Sequence, residues 1–159
     1  MRTDRWPDEW QLRLIQLFSV PGMFIAFYLL LYHSGNLINV CSASGWDDCG
    51  KVSGPEATYS SIGPIPVALI GLAGYAVIFL LIWLKDWLRF IDDTIPELMV
   101  GLTGVAFLFS LGLTALELFV IQAICRYCVI SAVLVAIMFA LAISYLRSFN
   151  QPEAPEAGE

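Results

Sequence analysis

The chain has 159 residues, of which 58% are hydrophobic and 14% charged, with a net charge of −6 and a mean hydropathy of +0.75. An ordinary soluble domain carries about 25% charged residues. The polar surface such a domain needs is missing, which excludes a soluble globular fold and leaves a membrane protein.

Residues 14–46, 58–84, 98–116 and 127–146 contain no Asp, Glu, Lys or Arg. About 20 apolar residues cross a ~30 Å hydrocarbon core as a helix. The sequence therefore predicts an all-α integral membrane protein, a bundle of four transmembrane helices at about 13–32, 65–84, 98–118 and 127–146. The first run is longer than the apolar region of a signal peptide and has no small-x-small cleavage site before Tyr32, so it is expected to be retained. Pro21-Gly22 is a candidate kink in it, and Gly71, Gly74, Gly101, Gly104 and Gly112 are candidates for close helix contact.

Between spans one and two lies a large outer loop, 33–64, rich in Gly, Ser, Pro and Asp, with a short interfacial helix expected at 57–62. The connection at 85–97 mixes Lys85, Arg89, Asp86, Asp92 and Asp93 with apolar residues and reads as a solvated turn. The acidic, proline-rich tail 147–159 has nothing to bury and reads as disordered. Neither a second domain nor an internal repeat is visible.

Basic residues set the expected orientation. Arg2, Arg5, Arg13, Lys85, Arg89 and Arg147 fall on one side of the four spans, and Lys51 and Arg126 on the other. Lys and Arg concentrate in cytoplasmic segments, so both termini are expected in the cytoplasm. The outer loop and the turn before span four then share the opposite face, where disulfides persist.

All four cysteines fall on that face. Cys41 and Cys49 are separated by seven residues in the outer loop, a spacing that permits a local disulfide. Cys125 and Cys128 form a C-R-Y-C at the head of span four. A helix start brings free backbone N–H groups to a sulfur and favours thiolate, the attacking species in disulfide exchange, and Arg126 adds a cation. Two other uses of these cysteines stand beside a redox one: a purely structural pair of disulfides in a membrane scaffold without turnover, and a zinc site. The loop pair lacks the usual C-x₂₋₄-C spacing of zinc ligands and His33 is the only histidine, so no metal is expected.

Residues 12–146 resemble the vitamin K epoxide reductase (VKOR) family, particularly its bacterial members. The resemblance is carried by Cys41 and Cys49 with Val52 after them, by residues 63–71 (GPIPVALIG) with Tyr75 in span two, and by Cys125-Arg126-Tyr127-Cys128. In the DsbB-type oxidases, which do similar work, the C-x-x-C lies in the first outer loop, and the order here is that of VKOR. The resemblance implies a four-helix bundle around a quinone, ubiquinone or menaquinone, capped by the outer loop. By position it implies that Cys128 faces the quinone, Cys125 is its disulfide partner, Cys49 attacks Cys125, and Cys41 meets a thioredoxin-fold (DsbA-like) thiol protein.

Departures from the pattern shape the remaining expectations. Pro55 stands where many members have a serine six residues after the second loop cysteine, which leaves Ser53, Thr58 and Ser60 as candidates for its role. Val67 and Ala132 fall where the vertebrate enzymes bind vitamin K through an asparagine and a tyrosine, so reduction of a simple quinone is expected rather than of an epoxide. Many bacterial relatives carry a fused thioredoxin-like domain after span four, where this sequence ends, and a separate partner is expected. Glu117, near the outer end of span three, reads either as a proton relay for the quinone or as an interfacial carboxylate reaching water. Tyr127 is a candidate quinone neighbour or interface anchor, and Phe24, Phe27, Tyr28, Phe107, Phe109 and Phe119 are candidates for a ring-binding pocket.

Overall fold

The structure is a computed structural model that describes residues 10–36, 48–85, 87 and 94–150. Its elements in chain order are α1 (Trp10–His33), α2 (Cys49–Ser53), β1 (Ser61–Ile62), β2 (Ile65–Pro66), α3 (Val67–Lys85), α4 (Ile95–Leu116), a π-helical turn (Glu117–Ile121) and α5 (Arg126–Asn150). The four long helices are each apolar and long enough to cross a membrane. Their outward faces carry Leu17, Phe24, Val105, Leu108 and Leu80, a surface that suits lipid and not water. The protein is an all-α, multi-pass membrane bundle.

Helix limits move in ways the local chemistry explains. α4 starts at Ile95 rather than 98 because Pro96 occupies its first turn, where a missing N–H costs nothing. α5 runs on to Asn150, so residues 147–150 are helical and not tail; residues 151–159 lie outside the described ones. Lys85, expected in a solvated turn, is buried with its Nζ 5.8 Å from the centroid of the Tyr145 ring. Its long apolar stem lies along the bundle and the charge meets a π face. Most of the connection that follows is outside the described residues.

α1 packs chiefly against α3 and α5, and α4 against α5. Leu12, Ile15, Ile82, Ile95, Met99 and Ala142 form the packed core of one end, and Ile78 and Met138 continue that core to the wall of a cavity. In lipid such packing rests on dispersion and close contact, since lipid tails are as apolar as the side chains. The closest helix approach is at Gly22 on α1: a Cβ there would collide with the ring of Tyr75. The Tyr75 hydroxyl in turn hydrogen-bonds the backbone oxygen (3.2 Å) and the side chain (2.8 Å) of Ser131, tying α3 to α5. Pro21 lies inside α1, which continues through it. Of the glycines expected at close contacts, a Cβ at Gly104 would come within 3.2 Å of the Phe139 ring and one at Gly71 would just touch Ala26, whereas Gly74, Gly101 and Gly112 have open space.

The outer loop folds otherwise than expected. Its helix is α2, not 57–62, because Asp48 caps it: Gly50 and Lys51 N–H groups donate to Asp48 Oδ1 at 3.0 and 3.3 Å. Residues 61–62 instead pair antiparallel with 65–66. The turn uses Gly63 at φ +64° followed by Pro64, a dipeptide that breaks a helix and suits a hairpin.

Candidate functional site

α2 is where the loop meets the bundle. Cys49 and Ser53 are four residues apart, so they lie on one face of the helix one turn apart. Cys49 packs with Leu29, Val52, Ala123 and Cys125 in a second buried cluster at this end. Its sulfur is 3.3 Å from that of Cys125. Ser53 Oγ lies 3.7 Å from the sulfur of Cys128. One helical face thus addresses both members of the C-x-x-C. Cys49 is disulfide-bonded, while Cys125 and Cys128 are free thiols. Cys41 lies outside the described residues.

Cys125 immediately precedes α5, and its carbonyl takes the N–H of Val129 at 3.0 Å. Its thiol is held below the usual thiol value, first by a hydrogen bond from the Cys128 thiol and then by the N–H groups of Cys128 and Tyr127 at the helix start. Burial and the Glu117 carboxylate oppose this, yet the donors prevail. Cys125 is therefore the sulfur of the pair that carries thiolate character, and it is the one in contact with Cys49.

Glu117 is not an interfacial carboxylate: it is 4% exposed. The π-helical turn it opens inserts an extra residue per turn. The chain then leaves the turn through Gln122 at φ 55°, with the Ala123 N–H returning to the Glu117 carbonyl at 3.3 Å. The side chain is swung inward, its Oε2 accepting the Cys125 N–H at 3.3 Å, and the one thiol proton of Cys128 is contested between this carboxylate and the Cys125 sulfur. No periodicity in the sequence announces the π turn.

Below the sulfurs opens a cavity of about 320 Å³, walled mainly by apolar side chains of α1, α3, α4 and α5. Cys128, Ser53, Ser60, Glu117 and His33 are among its polar lining. His33 Nδ1 is buried and has no hydrogen-bond partner among the described residues. A mostly apolar cleft of this size with a few convergent polar groups is the usual form of a small-molecule site.

The other expected residues sort cleanly. Of the three serine and threonine candidates, Ser53 is the one beside Cys128. Ser60 lines the cavity but gives its hydroxyl to the Ala57 carbonyl at 2.7 Å, and Thr58 is exposed. Tyr127 does not line the cavity; its ring packs against Tyr28, centroids 5.1 Å apart. Next to Cys128 on the helix, it points about 100° away around the axis. Phe24, Phe27 and Phe119 face outward and Phe107 stacks on Phe139, so Phe109 alone of the six aromatic candidates lines the cavity.

Three sulfurs converging beside an apolar cavity, on a four-helix membrane bundle, agree with the sequence comparison. The sequence model of the vitamin K epoxide reductase family matches residues 13–143. The chain belongs to that family. No curated protein matches the sequence. VKOR proteins are quinone-associated membrane oxidoreductases that work on thiols and disulfides or on vitamin K, and the chain shares that general character.

Proposed function

We propose that this VKOR protein is a quinone-dependent thiol–disulfide oxidoreductase that reoxidises a thioredoxin-fold (DsbA-like) partner for disulfide formation in exported proteins. The observation that carries the reading is the 3.3 Å contact between the Cys49 and Cys125 sulfurs. Disulfide exchange needs a thiolate within reach of a disulfide sulfur, and this contact links the loop to the C-x-x-C.

The exchange runs as a series of bond swaps, each a thiolate attack on a disulfide. The partner's thiolate attacks Cys41, and Cys49 leaves with the electron pair of the loop disulfide. The Cys49 thiolate then attacks Cys125, breaking the Cys125–Cys128 bond, and Cys128 leaves as thiolate. The partner's second thiolate attacks the mixed disulfide, forming the partner's disulfide and freeing Cys41 as thiolate, and Cys41 then attacks Cys49 and releases Cys125. The dithiol Cys125/Cys128 is reoxidised by passing two electrons to ubiquinone or menaquinone, which supplies a two-electron, two-proton acceptor. The cavity fits such a head group: it is apolar, Cys128 lies on its wall, and the buried Nδ1 of His33 lacks a partner. His33 and Ser53 would hold it. Val67, on the cavity wall, has no polar group to offer an epoxide.

The distribution of basic residues supports placing both termini in the cytoplasm and all four cysteines on the outer face of a bacterial inner membrane. The test is direct. Purified, reduced protein mixed with a short-chain quinone should discharge the quinone absorbance, and Cys128→Ala should abolish the change. Wild-type protein that leaves the quinone oxidised, or a Cys128→Ala variant that matches it, overturns the assignment in favour of a disulfide-stabilised scaffold.

A further inference from the structure

We infer that Glu117 is the group that takes the proton from Cys128 when the C-x-x-C dithiol is oxidised, and hands it on to the acceptor in the cavity. The inference deepens the quinone-linked reading above and rests on it. Three features of the structure converge on this carboxylate. It is buried inside a membrane bundle, where an acid without a task is costly. The π-helical turn brings it to the C-x-x-C, with one oxygen on the Cys125 N–H at 3.3 Å and the carboxylate competing with Cys125 for the Cys128 thiol proton. Finally, it lines the same cavity as Cys128, so a proton taken on one side is available on the other.

Cys125 and Cys128 need this differently. Once the Cys128 thiol has lost its proton, Cys125 keeps the N–H groups of Cys128 and Tyr127 for its charge, whereas the Cys128 sulfur has the Ser53 hydroxyl at 3.7 Å. Among the described residues, His33 of α1 shares the cavity wall with Glu117, and the other ionisable groups near it are sulfurs. Cys128 comes from α5, Cys125 from the segment before it, and Cys49, disulfide-bonded, from α2. Lys51 on α2 is exposed and paired with Asp48 at 3.5 Å, and on α4 the described carboxylate is Glu97, in the first turn at the opposite end.

The step balances as follows. The S–H bond of Cys128 breaks and an O–H bond forms on Glu117, leaving a thiolate and a neutral carboxyl. As the Cys125–Cys128 bond forms, two electrons leave the two sulfurs for the quinone. The Glu117 O–H bond then breaks, giving one proton to the reduced acceptor, and water at the outer face supplies the second. Glu117 returns to its ionised form.

Glu117→Gln tests this with little structural change, because the amide oxygen still accepts the Cys125 N–H. In the full chain without quinone, alkylation of Cys128, followed residue by residue by mass spectrometry, should be nearly independent of pH across the neutral range in the wild type. The proton there moves to Glu117 and not to solvent. In Glu117→Gln the same rate should rise about tenfold per pH unit, while alkylation of Cys125 keeps the pH slope it has in the wild type. Quinone reduction should show the same change of slope. A Glu117 that acted only as a nearby negative charge gives the opposite picture: both proteins rise with the same slope, and Glu117→Gln is the faster at neutral pH. That result overturns the inference. If Glu117→Gln also changed Cys125, Glu117→Asp, which keeps the carboxylate, must restore the flat profile or the inference fails. Quinone that stays oxidised with both proteins, alongside the predicted alkylation slopes, would sink the quinone reading while leaving Glu117 as the proton acceptor.

Discussion

The two ends of the bundle are built on opposite principles. One end is filled by interlocking side chains, Leu12, Ile15, Ile82, Ile95 and Met99, none of which lines the cavity, and no cysteine is found there among the described residues. The other gathers three cysteines, a serine, a carboxylate and a cavity of about 320 Å³ under a short capped helix. A redox relay needs sulfurs that exchange partners and a space that admits an acceptor, and neither is compatible with close packing. The closed end supplies the rigidity that the open end gives up.

That division should be breakable from either side. The largest effect is expected at the closed end, where Ile15→Ala removes a fully buried side chain from the α1 face. A cavity left by such a truncation costs about 2–5 kcal/mol. Thermal unfolding in detergent should show the loss, while the protein that remains folded keeps its rate of exchange between Cys49 and Cys125. A parallel loss of exchange in folded Ile15→Ala would mean that the two ends are not separate in function.

At the open end, the expected effect is on pH dependence. The Cys128 thiol is the foremost donor that holds Cys125 below the usual thiol value. A lowered value means that the thiolate persists to lower pH than in a free cysteine, and that exchange with Cys49 fades only when the pH falls through that lowered value. Cys128→Ala removes the donor and leaves burial opposed only by the helix-start N–H groups. The midpoint of Cys125 alkylation against pH should move upward, so that the variant loses reactivity at neutral pH and recovers it in alkali. An unmoved midpoint would assign the activation of Cys125 to the helix start alone.

The closed end was legible in the sequence and the open end only in part, for a physical reason. Charge-free runs report burial in lipid directly, so four spans follow from composition, and the C-R-Y-C at the head of the fourth follows from where its charges resume. Glu117 is a different matter. Its position near the outer end of span three left a proton relay and an interfacial carboxylate both open, and the π turn that rotates it inward depends on tertiary packing that no local pattern encodes. Gly22 was similarly hidden, since its use depends on Tyr75 arriving from another helix. Ser53 is intermediate. Chain distance from Cys49 alone left Ser53, Thr58 and Ser60 open, but once Asp48 is seen to cap a helix that starts at Cys49, the spacing of four residues selects Ser53.

The smallest expected effect tests that selection. Ser53 Oγ and Cys128 Sγ are 3.7 Å apart, a long contact with a weakly polar sulfur, and neutral hydrogen bonds contribute only about 0.5–1.5 kcal/mol net. Ser53→Ala should therefore slow quinone reduction by roughly two- to tenfold, the range that energy spans at tenfold per 1.36 kcal/mol. Cys49 sits one helical turn away on the same face and contacts Cys125, not Cys128, so exchange between the loop and the C-x-x-C should be unchanged. On the proposed function, loop and relay would thereby be separable within five residues of α2, with Cys49 passing electrons and Ser53 orienting the sulfur that delivers them. If Ser53→Ala slows the Cys49–Cys125 exchange as much as the quinone step, the serine instead holds α2 in place, and the orienting role passes to Glu117.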